Sequence, residues 1–493
     1  MQINVENKTS NKDNHNKLSK QKFFTLYRIL AITSLLAVVI FELALIQLNV
    51  LPAKYLLGAL SILTLLGVIV FIGLFFNFVK KAPKIISVGV SIILIVLSLI
   101  GTSYVTGTMN FLDNISSTGE TVKYETYNVI VNANSEYEVV TELNESDVGI
   151  YSIPNVNYST ARNELKKQIE CEYKSVDDIN TLGNNLLEGK YESILISDTN
   201  YTVLNENNEG YIDKTKIIYS IDVKIVNKDT VKRTGVTEES FNIYVSGIDC
   251  YGSINKVSRS DVNMIVTVNP KTNKILLTSI PRDCVVTLPS FNQTDKLTHS
   301  GIYGESESIG AIENLIGIKI NYYIKVNFSS VEGLVNSIGG IDVYSDYSFK
   351  TSNYYFTKGT NHMNGKQALA FSRERHSFSR GDFQRVLNQQ KVIEAIISKV
   401  SSSSTLLLNY NSILGAVENS MDTNISPNEI KSLVKMQIND MPSWEFEQSS
   451  IDQGSDAMLT GYSYQYQKLY MFIPNENAII EAEDTINAVM NEE

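Results

Sequence analysis

The chain has 493 residues, of which 43% are hydrophobic and 19% are charged. This length allows more than one domain, and the composition is typical of a folded protein that carries some membrane sequence. The formal net charge of -11 and the lack of a long Lys/Arg run argue against nucleic acid as a partner, because nucleic-acid-binding proteins usually carry a basic face.

The amino-terminal part predicts a membrane anchor. Residues 1–21 are polar and rich in Asn and Lys, and we expect them to form a disordered cytoplasmic tail. Three apolar segments follow within residues 22–110, and each is close to the ~20 residues that a helix needs to cross a bilayer. Three such runs in succession are not typical of a cleaved secretory signal. We therefore expect three transmembrane helices.

Positive charges predict the orientation of these helices. Four precede the first apolar segment and three fill the second connecting loop, whereas the first loop has only Lys54. The four before the first segment are Lys17, Lys20, Lys22 and Arg28, and the three in the second loop are Lys80, Lys81 and Lys84. Because positive loops stay on the cytoplasmic side, we expect a multi-pass cell-membrane protein with a cytoplasmic amino terminus and extracellular carboxy-terminal domains. Glu42 lies within the first segment, where a carboxylate is costly enough to indicate a role; the favoured interpretation is that it packs against a polar neighbour or lies near the outer interface.

Residues 111–232 are predicted to form a small α/β accessory domain. Four strand-like segments alternate with two helical ones, at 160–170 and 176–187. The strand-like segments are 127–131, 148–153, 191–196 and 216–223. No nucleophile motif, metal-ligand cluster or glycine-rich phosphate loop stands out here. We interpret this domain as a spacer or interaction module.

The stretch 241–282 predicts a hairpin that gathers charge at one edge of a sheet. Turn residues at 269–273 separate two strands, so Asp261, ahead of the outgoing strand, is expected beside Arg282, after the returning one. If the preceding strand pairs antiparallel with the outgoing one, Asp249 joins them. Arg259 lies in the intervening loop. Carboxylates and arginines at one sheet edge suit a divalent cation and a phosphorylated ligand.

Beyond Arg282, strands and helices alternate, which predicts an α/β domain at residues 233–493 with a central mixed sheet flanked by helices. Asp382, Arg385 and Gln389 are spaced i, i+3, i+7 on the first turns of a predicted helix. An anion is attracted to such a helix end by the dipole and the arginine. Taken alone this stripe predicts a solvated face. Together with the paired Arg373 and Arg375 it favours a diphosphate clamp.

Histidine and cysteine are not expected to carry the chemistry. His362 and His376 lie in no matching motif, and His299 is as compatible with a structural hydrogen bond as with ligand binding. Cys250 and Cys284 flank the two motif ends, so a disulfide between them is conceivable. Small buried thiols are the favoured interpretation, because a domain of this size does not need a disulfide.

In order and spacing, six short motifs resemble the LytR-CpsA-Psr family over residues 241 to about 400. The motifs are Gly247-Ile248-Asp249, Arg259-Ser260-Asp261, Pro281-Arg282-Asp283, Lys296-Leu297-Thr298-His299, Arg373-Glu374-Arg375 and Arg385-Val386-Leu387-Asn388-Gln389-Gln390. The three apolar segments and the accessory domain resemble the streptococcal capsule-biosynthesis type within that family. Arg380 departs from the family's pattern, which often has an acidic or small residue there.

The resemblance implies an enzyme of the Gram-positive cell wall. It implies a phosphotransferase that takes a glycan from a polyprenyl (undecaprenyl) pyrophosphate carrier and attaches it through a phosphodiester to peptidoglycan. It also implies that Asp249 and Asp261 bind Mg2+, and that the prenyl tail lies in an apolar tunnel between sheet and helices. The residues implied to hold the pyrophosphate are Arg259, Arg282, Lys296, Arg373, Arg375, Arg385 and Gln389.

The arginines and the metal agree with this chemistry, because phosphoryl transfer needs the negative charge on the transferred group and on the leaving phosphate to be neutralised. Asp382 is the hypothetical proton acceptor, or else it orients the arginines. If water replaces the acceptor, the site acts as a pyrophosphatase. A membrane regulator that binds the lipid-linked polymer without chemistry stays open as an alternative. The sequence does not distinguish capsule from another wall polymer.

Overall fold

The computed structural model describes residues 3–76, 81–115, 120–152, 156–208, 210–228, 234–248, 254, 258–402, 413, 415–416 and 421–493. The chain divides into two compact units, one made of Met1–Asp113 with Ile430–Met441 and the other of Asn114–Glu429 with Pro442–Glu493. Asp249 and Cys250 lie outside the described residues. Predictions that depend on those two residues therefore stay predictions.

Three long helices make up most of the first unit, and this confirms the three predicted apolar helices. They are α1 (Ile3–Leu48), α2 (Ala53–Phe75) and α3 (Lys81–Ile115). Each contains a stretch long and apolar enough to cross a membrane, Phe24–Leu48, Ala53–Phe75 and Pro83–Asp113. Thr64 Oγ1 donates a 2.7 Å hydrogen bond to Glu42 Oε1, which is the polar neighbour expected for this carboxylate.

The start of α1 differs from the expectation of disorder up to residue 21. The helix backbone begins at Ile3. Extending an existing helix adds a hydrogen bond for each residue ordered, whereas starting a new one is costly, and Lys, Gln and Glu have fair helix propensity. A polar segment attached to a long apolar helix can therefore continue it without an apolar face of its own.

The first sheet of the second unit is formed by residues of the predicted accessory domain. Its elements are β1 (Glu120–Asn132), β2 (Ser146–Tyr151), α4 (Val156–Leu165), β3 (Cys171–Val176), α5 (Ile179–Leu187), β4 (Ser193–Ser197), α6 (Asp198–Asn207) and β5 (Thr215–Lys228). The strand order is β3-β2-β4-β1-β5, with β2 parallel to both of its neighbours. The α/β class expected for this region is confirmed, although β3 and α6 were not predicted.

The second sheet begins with the predicted hairpin and continues through alternating strands and helices. Its elements up to residue 401 are β6 (Phe241–Ile248), β7 (Val262–Asn269), β8 (Lys274–Ser279), β9 (Val285–Leu288), β10 (Gln293–Lys296), α7 (Leu297–Ser300), α8 (Glu305–Ile316), β11 (Tyr322–Asn327), α9 (Phe328–Ser337), β12 (Ile341–Ser345), β13 (Phe349–Lys350), β14 (Tyr355–Phe356), β15 (Gly359–Met363), α10 (Gly365–Arg373) and α11 (Asp382–Ser401). Gly317 ends α8 in the left-handed conformation, as predicted.

The carboxy-terminal part completes this sheet and adds a hairpin and a helix. Its elements are β16 (Met421–Thr423), α12 (Pro427–Asp440), β17 (Glu445–Ser450), β18 (Gly454–Gly461), β19 (Tyr464–Pro474) and α13 (Glu476–Asn491). The predicted capping box at the start of α12 is confirmed, because Ser426 N donates to Glu429 Oε2 and Glu429 N donates to Ser426 Oγ. The segment Ile430–Met441 belongs to the first unit, where Val434 and Ile438 pack with the apolar helices.

The six-stranded sheet has the order β16-β11-β6-β7-β8-β17. It is mixed, since β11 and β17 pair parallel with β6 and β8, whereas β7 is antiparallel to both of its neighbours. All eight residues of β6 are buried, as expected for a strand covered on both faces. One face packs on α8 and α13 in a cluster that contains Tyr244, Ile265 and Leu276. The predicted central mixed sheet flanked by helices is confirmed.

Contacts of the β18–β19 turn join the first sheet to the second within this unit. Tyr464 is buried in the hydrophobic core of the first sheet, and its hydroxyl donates to Asn200 Oδ1 at 3.2 Å. The adjacent Ser463 N donates to Asp295 Oδ2 at 2.7 Å. Asp295 belongs to β10, beside the second sheet. A single turn therefore contacts both cores.

Candidate functional site

Asp261 and Arg282 meet at one edge of the six-stranded sheet, as the hairpin predicts. Asp261 precedes β7, and its backbone N–H donates to Gly247 O of β6 at 2.8 Å. Arg282 follows β8, and its Nη1 donates to Asp261 Oδ1 at 2.9 Å. The expectation that the hairpin ends bring these two side chains together is confirmed. Since β6 ends at Ile248, the chain leaves this same edge toward residue 249.

The β9–β10 hairpin brings a lysine to this pair through Asp283. Lys296, at the end of β10, lies opposite Val285 in the register. Its Nζ donates to Asp283 Oδ1 at 2.8 Å, and Asp283 Oδ2 lies 3.7 Å from Arg282 Nε. That distance is too long for a hydrogen bond. Asp283 was not among the predicted site residues, although its place in the Pro281-Arg282-Asp283 motif was an available signal.

The first turn of α11 supplies a second carboxylate–arginine pair. Asp382 Oδ1 lies 3.0 Å from Arg385 Nη2, and the Arg385 side chain is only 10% exposed. Gln389, one helical turn further, is also buried. The predicted stripe therefore does not form a solvated face. Buried charges of this kind need compensation by a partner or a ligand.

The charges of the Asp261–Arg282 pair and of the Asp382–Arg385 pair act on one another, so the two pairs belong to one cluster. We call it the arginine cluster, and it consists of Arg259, Asp261, Arg282, Asp283, Lys296, Arg375, Asp382 and Arg385. Burial raises the pKa of the Asp261 carboxyl, but the charges of Arg282, Arg259 and Arg385 together outweigh it and hold that pKa below its usual value. For Arg385, burial and the nearby Arg282 lower the pKa despite Asp382 and Asp261. Burial is the largest of these causes, so the Arg385 guanidinium is a poorly solvated charge beside Asp382.

Two guanidinium N–H groups of the arginine cluster are suited to donate to an anion. Within the described part of the chain, buried Arg282 Nε and Arg385 Nε have no hydrogen-bond partner. An unsatisfied buried donor is costly, and more so when it is charged. A phosphate oxygen accepts strong bonds from such groups, and the amino end of α11 adds its dipole.

The remaining predicted residues divide into those near the cluster and those with other contacts. Arg375 is exposed and its charge acts on Arg385. Arg373 ends α10 and lies over the Phe328 ring at 4.2 Å. Phe328 directly follows Asn327, which pairs with Ile248 where β6 ends, so Arg373 lies at the same sheet edge. The paired action predicted for Arg373 and Arg375 stays a prediction.

The residues present are compatible in kind with a magnesium ion. Among the described residues no group of three or more His, Cys, Asp or Glu side chains could hold a metal. Mg2+, however, usually keeps several waters and takes only one or two carboxylates plus substrate phosphates. Asp261 lies at the edge where β6 ends, and its Oδ1 already accepts from Arg282. The predicted magnesium ligands are therefore the other carboxylate oxygen of Asp261 and the side chain of Asp249, which lies outside the described residues.

His299 and His362 each pair with a carboxylate outside the arginine cluster, whereas His376 Nε2 accepts from Arg375 Nε at 3.3 Å. His299 Nδ1 lies 2.6 Å from Asp295 Oδ1, and both side chains are buried. His362 Nδ1 lies 2.8 Å from Asp342 Oδ1 on the surface. Of the two predictions for His299, the structural hydrogen bond is confirmed. Cys284 is a buried free thiol, as favoured by the sequence.

The lowered pKa of Asp261 predicts a pH dependence of stability. Because the folded-state pKa lies below the unfolded value of about 3.9, the ionised carboxyl stabilises the fold above that pH. This contribution is lost as the pH falls through the folded-state value. We measure the free energy of unfolding by urea titration at about pH 5 and at about pH 3. We expect this free energy to fall less between the two pH values in Asp261→Asn than in the unmodified chain. Equal losses contradict this prediction.

Comparison with known proteins shows the family to which the chain belongs. A model of the LytR_cpsA_psr family matches residues 195–473, more than half of the chain. A Bacillus cereus protein named polyisoprenyl-teichoic acid--peptidoglycan teichoic acid transferase TagU is 34% identical over 198 residues, which are 40% of this chain and 64% of that protein. A protein of the same name from Enterococcus faecalis is 36% identical over 231 residues, 46% of this chain and 75% of the relative.

The chain thus covers slightly less than two thirds of the Bacillus cereus relative and three quarters of the Enterococcus faecalis one. Among solved structures, B. subtilis TagV is 30% identical, with a TM-score of 0.44, over 52% of this chain and 99% of that one.

Proposed function

Because the chain belongs to the LytR-CpsA-Psr family, we propose that it transfers a glycan from a polyprenyl (undecaprenyl) pyrophosphate carrier to peptidoglycan through a phosphodiester bond. The observation that carries the proposal is the pair of buried guanidinium N–H groups, Arg282 Nε and Arg385 Nε, that have no hydrogen-bond partner among the described residues. A pyrophosphate offers acceptor oxygens to both. The relatives named as teichoic acid transferases support the same reaction class.

The proposed reaction is an in-line displacement at the phosphorus that carries the glycan. An acceptor hydroxyl oxygen forms a new bond to this phosphorus, and the bond to the oxygen bridging the two phosphates breaks. Polyprenyl phosphate leaves with that bridging oxygen and its electron pair, so no covalent enzyme intermediate is needed.

Arg282 and Arg385 act by neutralising charge on the two phosphates. Their fixed positions matter, because Asp261 holds Arg282 at 2.9 Å and Asp382 holds Arg385 at 3.0 Å. Lys296, held by Asp283 at 2.8 Å, adds a further positive charge beside Arg282. The groups are therefore oriented before substrate binds, which reduces the cost of reorganisation in the transition state.

The proton of the acceptor hydroxyl is assigned to Asp382. Both of its carboxylate oxygens lie close to Arg385 Nη2, Oδ1 at 3.0 Å and Oδ2 at 3.3 Å, and we propose that this carboxylate accepts the proton through a lone pair that the guanidinium does not use. Asp249 and Asp261 would hold Mg2+, which supplies Lewis-acid charge neutralisation on the phosphates. Arg259, Arg373, Arg375 and Gln389 are proposed to complete the contacts to the pyrophosphate.

We also propose that the second unit faces the outside of the cell. The charges flanking the apolar helices support this orientation, and the acceptor is extracellular. The glycan is proposed to be teichoic acid, as in the relatives' names, or a capsule polymer, as in the family type that the chain resembles.

The test is an assay of the purified full chain in detergent micelles with Mg2+, a polyprenyl-pyrophosphate-linked glycan and peptidoglycan. We expect release of polyprenyl phosphate with glycan attached to the wall fragment. With water alone we expect slower release, which would be the pyrophosphatase reaction. Removal of Mg2+ with EDTA should stop both, and added Mg2+ should restore them. Tight binding without any release would instead support a membrane regulator.

A further inference from the structure

A polar pocket of about 250 Å3 lies between α11, the end of β17 and α13. Residues of all three elements line it, mainly through side-chain amides, a hydroxyl and carboxylates. The polar lining residues used below are Gln390, Gln448, Ser450, Asp452, Gln453 and Glu481. Its volume is below the ~300–1,000 Å3 of pockets that enclose a drug-sized ligand. It is therefore suited to one ring of a larger ligand.

The pocket is next to the arginine cluster on two sides. On the sheet, β17 pairs parallel with β8 so that Ser450 lies opposite Ser279, three residues before Arg282. Next to the helix, Asp452 of the pocket accepts from Arg380, two residues before Asp382. Leu387 of the pocket lies about 7.5 Å from Asp382 along the axis of α11 and about 140° around it. A ligand seated in the pocket can therefore extend into the cluster without leaving the protein surface.

The chemistry of the lining differs from that of the arginine cluster. No Lys or Arg is among the described residues that line it, and both charged residues, Asp452 and Glu481, are acidic. Such a lining offers phosphate no cation of its own, and the one at its rim, Arg380, is already paired with Asp452. Amides, hydroxyls and carboxylates at close spacing instead match the alternating donors and acceptors of an amino sugar that carries hydroxyl and acetamido groups.

Two further observations mark the pocket as a formed site. Buried Gln390 donates from Nε2 to Leu277 O at 2.9 Å and to Ser449 O at 2.6 Å, which fixes this side chain between helix and sheet. Its Oε1 has no hydrogen-bond partner in the described part of the protein. At the rim, Arg380 Nη2 donates to Asp452 Oδ2 at 2.6 Å and so ties the loop before α11 to the end of β17.

We propose that this pocket binds an N-acetylated sugar ring of the acceptor glycan and directs a hydroxyl of that chain toward Asp382. The proposal rests on the transfer reaction proposed above and adds the acceptor side of the same site. Gln453 and Glu481, both exposed, contribute hydrogen bonds to the ring. Gln390 supplies a fixed wall.

The test compares the double variant Gln453→Ala/Glu481→Ala with the unmodified full chain in detergent micelles. We measure binding of a β-1,4-linked N-acetylglucosamine tetramer by calorimetry, and the KM for the acceptor and the donor in the transfer assay. We expect about tenfold weaker tetramer binding and a tenfold higher acceptor KM, with the donor KM unchanged. Loss of two hydrogen bonds is of this size. Asp484→Ala, an exposed carboxylate of α13 outside the pocket, should match the unmodified chain.

The two proposals can fail separately. If the tetramer does not bind, or binds equally to the double variant, the acceptor pocket is wrong even where transfer occurs. A rise in donor KM equal to that of the acceptor also overturns it. If the tetramer binds in a manner that depends on the pocket but no transfer takes place, the pocket stands and the proposed reaction is wrong.

Discussion

Replacement of Arg282 by Ala is expected to lower the rate of glycan transfer about a thousandfold. Removal of one preorganised group that stabilises developing charge costs about 10²–10³ in rate in other enzymes. Here the loss also frees Asp261, whose Oδ1 accepts from Arg282 at 2.9 Å, so a carboxylate would face the incoming pyrophosphate unpaired. The effect is therefore expected at the upper end of that range. Formation of polyprenyl phosphate from the lipid-linked donor under single-turnover conditions measures it.

Two matched variants separate charge from geometry in this experiment. Arg282→Lys keeps the charge but loses the planar fork that contacts two oxygens at once, so we expect a loss intermediate between the unmodified chain and Arg282→Ala. Lys319→Ala removes a cation from an exposed ion pair with Glu313 and should leave the rate unchanged. Full turnover by Arg282→Ala would remove this guanidinium from the mechanism.

Replacement of Asp295 by Ala is expected to lower the free energy of unfolding of the second unit by about 3–5 kcal/mol, the cost of breaking a buried pair. Asp295 is fully buried. Its carboxylate lies 2.6 Å from His299 Nδ1 and accepts from Ser463 N at 2.7 Å and from Lys296 N at 2.7 Å. Alanine leaves all three without this partner. Urea unfolding followed by fluorescence of Trp444, the single tryptophan, measures the loss.

The same pair of residue types on the surface gives the control. Asp342 and His362 lie at a similar distance, 2.8 Å, but both side chains are more than 60% exposed. Exposed ion pairs are usually worth less than about 1 kcal/mol, so Asp342→Ala should change stability by less than that amount. If Asp295→Ala and Asp342→Ala lower the free energy of unfolding by the same amount, burial does not explain the contribution of the Asp295–His299 pair.

The central part of the fold follows from local sequence signals. Two strand-like segments and the turn at 269–273 predicted the β7–β8 hairpin, and this hairpin brings Asp261 next to Arg282 because hairpin ends meet. The antiparallel pairing of β6 with β7, which the sequence left conditional, is also observed. Helix spacing likewise placed Asp382 next to Arg385. These contacts are predictable since each depends on residues close together in the chain or on the geometry of a single turn.

Other parts depend on partners far away in the chain, and their sequences carry weak signals. β17 (Glu445–Ser450) has Glu, Gln or Ser at five of its six positions. It is a strand because it pairs in parallel with β8, which lies about 170 residues earlier in the chain. The pocket beside the arginine cluster is formed by that pairing, and was therefore not predicted. Asp283 was missed for a different reason, since its role depends on Lys296 reaching it from the β9–β10 hairpin.

The β18–β19 turn has a practical consequence for dissecting the protein. A fragment that starts at residue 233, the predicted boundary, keeps Tyr464 but discards the sheet in which that ring is buried. The same cut removes Asn200, the acceptor for its hydroxyl. Such a fragment would expose the Tyr464 ring to solvent next to the Ser463–Asp295 hydrogen bond. Aggregation of the fragment would then result from the truncation and not from instability of the six-stranded sheet.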